Sequence, residues 1–280
     1  MAILDGGLQR QDNTGAGLWI CGATDIGLRR KQNEDAFVIA DLSSGQQSTP
    51  CASVDVSLSE SGYLLLVCDG MGGAAAGDVA ARIAATSIRQ KLVDASDTVE
   101  TDTAEALGDA VAVANRAILN EARARSKQHG MGTTCTAVIV RPGTLTVAQV
   151  GDSRAYLLHD GKLCALTKDQ SLVRELQDAG VLTADQARTF PMRNVLSQAL
   201  GTKAAVEPVI SEHALAAGDR LLLCSDGLHG AVSDPQIKDA LNQAGQLADA
   251  TKALVDSALA AGGSDNVTVV VAEYRAPAHS

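Results

Sequence analysis

Aromatic residues are nearly absent from this chain: one tryptophan, three tyrosines and two phenylalanines in 280 residues, 2% of the total. Hydrophobic residues still make up 46%, so the core has to be built from aliphatic side chains and alanine. No apolar run approaches the length needed to span a bilayer. Met1 to Gly17 is polar and glycine-rich and lacks an apolar signal-peptide core; this predicts a protein that is not exported and has no membrane partner. Basic residues are in the minority, 23 Lys and Arg against 33 Asp and Glu, giving a net charge of −10. A chain with no basic stripe is poorly suited to a nucleic-acid backbone, which argues against a two-metal nuclease. The glycine-rich Lys-Ser/Thr loop of nucleotide hydrolases is missing too. None of the six cysteines is spaced C-x-x-C, so a zinc knuckle is unsupported. Cys68, Cys135 and Cys224 lie in strand-like apolar segments as small hydrophobes, and the expected compartment is the reducing cytoplasm.

The hydrophobic pattern supplies the elements. Trp19 to Thr24 and Phe37 to Ala40 read as opening strands, and Ser43 to Gly62, rich in Ser and Gln, as a surface loop. Tyr63 to Cys68 (YLLLVC) reads as a buried strand, followed by an alanine-rich helix through about Leu92. A second helix is expected from Asp102 to Lys127, with an apolar face of Leu107, Val111, Ala114 and Ile118. Thr133 to Val140 and Leu145 to Val150 are strand-like, and Arg154 to His159 and Lys162 to Leu166 flank the hairpin signal Asp160-Gly161. Asp169 to Ala199 reads as short helical pieces broken at Pro191. After a strand at Leu221 come two helices, one starting at Ser233-Asp234-Pro235 and one ending at Gly262-Gly263, then a last strand from Val267 to Tyr274. Strands in hairpin-like groups with helices inserted in pairs predict an antiparallel-rich α/β sandwich of α+β type. With no internal repeat, linker or second core, the expected organisation is a flexible tail over 1–17 and a single domain over 18–276.

The acids stand at the ends of the most apolar runs. Tyr63 to Cys68 ends in Asp69-Gly70, Leu221 to Ser225 ends in Asp226-Gly227, and Asp265 precedes Val267 to Val271. Carboxylates converging at the mouths of buried strands repel one another and need cations to hold them together. Taken singly these signals are weak: Asp-Gly is a common turn, Asn33-Glu34-Asp35 alone reads as a cap or loop, and Gly151 to Arg154 as a hairpin connection. Their order carries the weight. Thr24-Asp25-Ile26-Gly27 leads to Arg30-x-x-Asn33-Glu34-Asp35, then Val67-Cys68-Asp69-Gly70-Met71-Gly72-Gly73, Met131-Gly132-Thr133-Thr134 and Gly151-Asp152-Ser153-Arg154-Ala155. Asn194 to Gly201 (NVLSQALG), Cys224-Ser225-Asp226-Gly227-Leu228 and Ser264-Asp265-Asn266-Val267-Thr268 complete the set.

In this order the motifs resemble those of the metal-dependent serine/threonine protein phosphatases (type 2C, PPM) in their bacterial form, from about Ala23 to Val271. The resemblance implies a four-layer αββα sandwich with helix pairs on both faces. It also implies hydrolysis of phosphoserine and phosphothreonine on proteins by attack of a metal-bridging hydroxide, with Arg30, Asp69 and Asp226 catalytic. Two catalytic Mn²⁺ or Mg²⁺ ions and a third are expected. By resemblance Asp69 bridges two metals, the Gly70 carbonyl binds one of them, and Asp226 and Asp265 complete the other. Glu34 and Asp35 act through metal-bound water, and Asp152 joins Asp226 on the third ion. The donors are all oxygen and the five histidines stand outside the acidic motifs, a chemistry that selects Mg²⁺ or Mn²⁺ over zinc. Arg30 matches the arginine that grips the phosphoryl group, a task suited to a planar fork; the alternative is a surface arginine paired with Asp25 or Glu34.

Met71 stands where many eukaryotic relatives carry a proton-donating histidine, leaving metal-bound water, His129 and His159 open as the general acid. The segment from about 169 to 200 corresponds to the family's flap, whose charged outer face is expected to help select the phosphoprotein. Implied partners are phosphorylated proteins, including a Ser/Thr kinase, and the protein is expected to act as a cytoplasmic monomer. A phosphoprotein-binding pseudophosphatase would be signalled by lost metal acids, yet Asp69, Asp152, Asp226 and Asp265 are all present. A stress-response phosphatase acting on one anti-sigma antagonist would share the chemistry and differ in substrate.

Overall fold

The computed structural model describes residues 15–48, 54–72, 76–96, 102–125, 130–243 and 245–275. The first half of the chain runs β1 (Gly17–Asp25), β2 (Asp35–Asp41), β3 (Val54–Ser57), β4 (Tyr63–Met71), α1 (Gly77–Ser96), α2 (Thr103–Ala124), β5 (Gly132–Thr133) and β6 (Cys135–Arg141). Next come β7 (Thr144–Val150), β8 (Arg154–His159), β9 (Lys162–Ala165), α3 (Leu172–Asp178), α4 (Ala184–Arg188) and β10 (Val209–Ala214). The chain closes through β11 (Arg220–Cys224), α5 (Asp226–His229), α6 (Asp234–Gln243), α7 (Leu247–Ala260) and β12 (Val267–Arg275).

Two antiparallel sheets result, one ordered β3-β1-β12-β11-β8-β9 and the other β10-β7-β6-β4-β2, with β5 paired to the end of β4. Strand β4 shows why its sequence is apolar at every position. Its side chains alternate between faces: Leu64, Leu66 and Cys68 pack under α1 and α2, while Tyr63, Leu65 and Val67 face the opposite sheet. Strand β12 does the same, sending Val267, Val269 and Val271 toward α6 and α7, and Val270, Ala272 and Tyr274 into the sandwich. Continuous apolar runs are what a layer covered on both sides requires. The architecture is the expected sandwich with helices on both outer faces. Among the described residues, no helix is long and apolar enough to cross a membrane.

Two strands escaped the periodicity. The segment read as the loop Ser43 to Gly62 contains β3, which pairs with β1 from Ile20↔Val54 to Gly17↔Ser57; four residues interrupted by Asp55 leave too short a pattern to detect. Strand β10 pairs along one edge only, with β7, and its alternation is mostly exposed. Helix α2 ends at Ala124 rather than Lys127, which falls outside the described residues with residues 1–14 of the expected tail and 49–53 of the expected loop. The sheet already begins at Gly17, and the Ala16 carbonyl accepts the Leu58 N–H.

Candidate metal centre

All the acidic motifs fall at one end of the sandwich, because each sits where a central strand enters or leaves. Asp35 opens β2 directly opposite Asp69 near the end of β4. Asp152 lies in the tight β7–β8 connection. Asp226 opens α5 two residues after β11, and Asp265 stands two residues before β12. The register Cys224↔Arg154 and Cys224↔Val269 places these last connections side by side. Predicted ligands more than 200 positions apart are thereby gathered by sheet order alone.

Side-chain hydroxyls brace the set. Asp35 Oδ2 accepts from Ser225 Oγ at 2.8 Å and from Thr268 Oγ1 at 2.6 Å, tying the second sheet to the first at the site end. Thr24 Oγ1 lies 2.7 Å from Thr268 Oγ1 and accepts from Asn33 Nδ2 at 2.8 Å. Behind Asp69, its N–H donates to Thr134 Oγ1 at 2.9 Å, and its carbonyl accepts from Thr133 Oγ1 and the Thr134 N–H. Thr134 Oγ1 in turn lies 2.7 Å from Ser153 Oγ, beside Asp152. None of these hydroxyl residues was assigned a role from the sequence, although Thr24, Thr134, Ser225 and Thr268 all lie within the motifs.

The electrostatics are those of crowded, half-buried carboxylates in a desolvated cleft. Burial pushes the Asp35 carboxyl up to about 7, despite its two hydroxyl donors, and Asp226 and Asp265 add to the rise. Burial, followed by Asp226, raises Asp152 to about 7. Asp69 lies well above the usual carboxylate range through burial and then the fields of Asp35 and Asp226. Asp226 is raised by burial and then by Asp265, and Glu34 by burial. Such a set cannot all ionise at neutral pH without compensating positive charge.

Divalent cations fit the arrangement. Asp35 Oδ1 and Asp226 Oδ1 are buried without a hydrogen-bond partner, a state that calls for an ion or an ordered group. The donors are hard oxygens throughout. Among the described residues, no three His, Cys, Asp or Glu side chains close on a single point. Ions held by few protein oxygens, sharing carboxylates and keeping several waters, are the kind such a spread of donors suits. Gly70 shows how tightly the backbone is drawn in: a Cβ there would lie 2.2 Å from the Gly77 carbonyl oxygen and 2.6 Å from that of Glu34. Both obstructions are main chain and cannot rotate away. Gly70→Ala is expected to cost about 3 kcal/mol or more, read as a lowered urea midpoint; a wild-type midpoint would refute the close-approach argument.

Arg30 pairs with neither Asp25 nor Glu34. Its Nη2 lies 2.6 Å from Asp265 Oδ2, at a half-exposed position on the rim, and that bond raises its pKa further; Asp25 instead accepts from the Gly27 N–H. His159 is removed from consideration as a general acid. It sits at the opposite end of β8 from Asp152, roughly 17 Å away at ~3.3 Å per residue, held by Asp219 at 2.7 Å. His129 lies outside the described residues, as does Gly73. The histidine that does reach the site is His229, placed by α5 one turn beyond Asp226. Its Nε2–H donates to the Asp152 carbonyl at 3.0 Å. Burial, then Arg154, lowers it to about 4, so at neutral pH it is an uncharged brace. The spacing Asp226 to His229, three apart on a helix, was the available signal.

The family model of protein phosphatase 2C matches residues 46–265. The chain belongs to the protein phosphatase 2C family. Over 210 residues it is 42% identical to the serine/threonine protein phosphatase PstP of Mycobacterium tuberculosis, covering 75% of this chain and 40% of that protein. It is 32% identical over 249 residues to the protein phosphatase PhpP of Streptococcus pneumoniae, covering 89% of this chain and 94% of the relative. Among solved structures, the catalytic domain of PstP in complex with two manganese ions superposes with a TM-score of 0.76 at 36% identity, covering 93% of this chain and 99% of that one. The protein phosphatase 2C fold therefore accounts for both sheets and both helical layers. The loop carrying Arg30, Glu34 and Asp35 precedes the matched span and joins the site through its own hydrogen bonds.

Proposed function

We propose that the protein is a manganese- or magnesium-dependent phosphatase that hydrolyses phosphoserine and phosphothreonine on proteins, acting through one catalytic domain over 18–276. The observation that carries this reading is the gathering of Asp35, Asp69, Asp152, Asp226 and Asp265 at one sandwich end, with two buried carboxylate oxygens unpartnered. Asp69, the Gly70 carbonyl, Asp226 and Asp265 are the residues that would hold the catalytic ions. Asp152 with Asp226 would hold a further one, and Glu34 and Asp35 would act through water. When bound, the ions lower the pKa of water and offset charge on the phosphoryl oxygens. The chain's own share is to fix the donors and exclude alternatives: Ser225 and Thr268 fix the Asp35 carboxylate, and Thr133 and Thr134 fix the Asp69 backbone.

Arg30, on the rim beside Asp265, presents a planar fork suited to two phosphoryl oxygens. Met71 cannot donate a proton, His159 is remote and His229 is neutral and engaged, so among the described residues solvent is left to protonate the leaving alkoxide. The flap, α3 and α4 capped by Ser171 and Thr183, is tied to the β7–β8 connection beside Asp152 by Gln170, whose N–H donates to the Gly151 carbonyl, and it exposes Val181, Met192 and Val195; this supports a role in selecting the phosphoprotein. Phosphorylated proteins as substrates fit the name serine/threonine protein phosphatase carried by the Mycobacterium tuberculosis relative; a cytoplasmic monomer opposing a Ser/Thr kinase is part of the proposal.

The test is phosphate release from a phosphothreonine peptide with Mn²⁺ and with EDTA. Metal-dependent turnover supports the proposal. A folded protein that binds Mn²⁺ and phosphopeptide without releasing phosphate would overturn it in favour of a phosphoprotein-binding role.

A further inference from the structure

Asn266 is buried between the two halves of the candidate site, and every polar group of its side chain is engaged. Its Nδ2 donates to the Ile26 carbonyl at 2.9 Å and to the Gln32 carbonyl at 3.0 Å, while its Oδ1 accepts the Glu34 N–H at 2.8 Å. One amide thus spans the base of the loop that carries Arg30, with a bond on either side of that residue. From the same position its backbone N–H donates to Asp265 Oδ1 at 2.8 Å, and Asp265 Oδ2 accepts from Arg30. Its carbonyl oxygen packs so closely on Gly227 that a Cβ there would lie 1.9 Å away. The loop, the start of α5 and the start of β12 meet at this one residue. No other side chain of this size carries both two donors and an acceptor on one planar group: aspartate would face two carbonyls with negative charge, and serine could not reach across.

We infer that Asn266 is the positioning residue for Arg30, clamping the 26–34 loop so that the guanidinium stands over the phosphoryl position. This rests on Arg30 being the phosphate grip of the proposed phosphatase. The clamp acts on substrate binding and leaves Asp265 in place, since that bond comes from the backbone and survives substitution of the side chain; of the proposed metal set only the Glu34 N–H loses a partner. Removing it should weaken phosphate affinity more than turnover or metal affinity.

The experiment compares wild type, Asn266→Ala, Asn266→Asp, Arg30→Ala and the double variant Arg30→Ala/Asn266→Ala. Hydrogen exchange at the Glu34 and Leu28 amides, affinity for inorganic phosphate by calorimetry, Mn²⁺ affinity, and KM and kcat on a phosphothreonine peptide are read for each. For Asn266→Ala we expect Glu34 exchange about 10-fold faster, phosphate affinity and KM worsened about 10-fold, and kcat and Mn²⁺ affinity within about 3-fold. In the Arg30→Ala background the second substitution should add nothing to the loss of phosphate affinity. If the alanine variant does not fold, Asn266→Asp, which keeps the acceptor for the Glu34 N–H and loses both donors to Ile26 and Gln32, should still weaken phosphate affinity and KM about 10-fold, with loosening of the loop read at the Leu28 amide. Unchanged loop protection, an equal loss in both backgrounds, or exchange accelerated throughout the molecule would overturn the inference. A wild type that releases no phosphate would instead refute the phosphatase reading; loop protection and phosphate binding would still decide the role of Asn266.

Discussion

Replacing Asp226 by asparagine is expected to lower metal-dependent phosphate release by at least ~10³-fold while raising the melting temperature of the EDTA-treated protein. The two effects have one cause. Asp226 is half-buried, faces Asp69, Asp152 and Asp265, and keeps one buried oxygen without a partner. That carboxylate is useful for holding cations and costly without them. Asparagine keeps the shape and offers an amide that donates to Asp69, but it removes the charge that attracts the metals. Losing about 4 kcal/mol of transition-state stabilisation corresponds to the ~10³-fold drop, and relief of like-charge repulsion contributes on the order of 1–2 kcal/mol, or about 2–8 °C for a chain of this size. Steady-state kinetics with Mn²⁺ and calorimetry in EDTA measure the two arms. An active variant would remove Asp226 from the metal set. A variant that melts several degrees lower in EDTA would show the carboxylate to be a structural partner.

The acids at the strand ends were legible in the sequence because a two-sided buried strand leaves a conspicuous apolar run, and the break in that run marks the site. Asp69 after YLLLVC and Asp226 after LLLCS are read this way without reference to any relative. The hydroxyl braces were not legible. Thr268 and Ser225 look like ordinary strand and cap residues until the two sheets close and bring both onto Asp35, a contact set by packing between sheets that no local pattern encodes. His229 was passed over for a related reason. Its partner is the backbone carbonyl of Asp152, 77 positions away; a main-chain acceptor leaves no trace in composition, so the spacing from Asp226 was the one signal to read. Strands β3 and β10 were lost because edge strands need bury little, and so carry little hydrophobic alternation. For Arg30 the alternative reading, a surface arginine paired with its sequence neighbours Asp25 or Glu34, is not what the structure shows: the loop folds onto Asp265, 235 positions away.

The pH dependence of stability should reverse sign when metal is added. Asp35 and Asp152 are raised to about 7 by burial and by neighbouring carboxylates. Relative to an unfolded chain with ordinary carboxylates, the folded state binds extra protons between about pH 4 and 7. Stability from these groups is complete below the unfolded pKa and is lost as pH rises through the folded one. Asp69 and Asp226 shift in the same direction, as does exposed His159, raised by its bond to Asp219. His229 opposes them: lowered to about 4 by burial, it stabilises fully above about 6.5 and loses that contribution as pH falls toward 4. Two or more carboxylates outweigh one histidine, leaving a net slope of at least about 1.4 kcal/mol per pH unit. In EDTA the melting temperature should therefore fall by roughly 5–10 °C between pH 5.5 and 7.5. With saturating Mn²⁺ the same carboxylates must be deprotonated to bind, so affinity and stability should climb with pH. The ion should add about 10 °C at pH 7.5 and little at pH 5.5. Scanning calorimetry over this range, with and without metal, gives both curves. Curves that separate as pH rises identify these acids as the metal set; parallel curves would mean that the ions bind elsewhere and that these carboxylates serve another purpose.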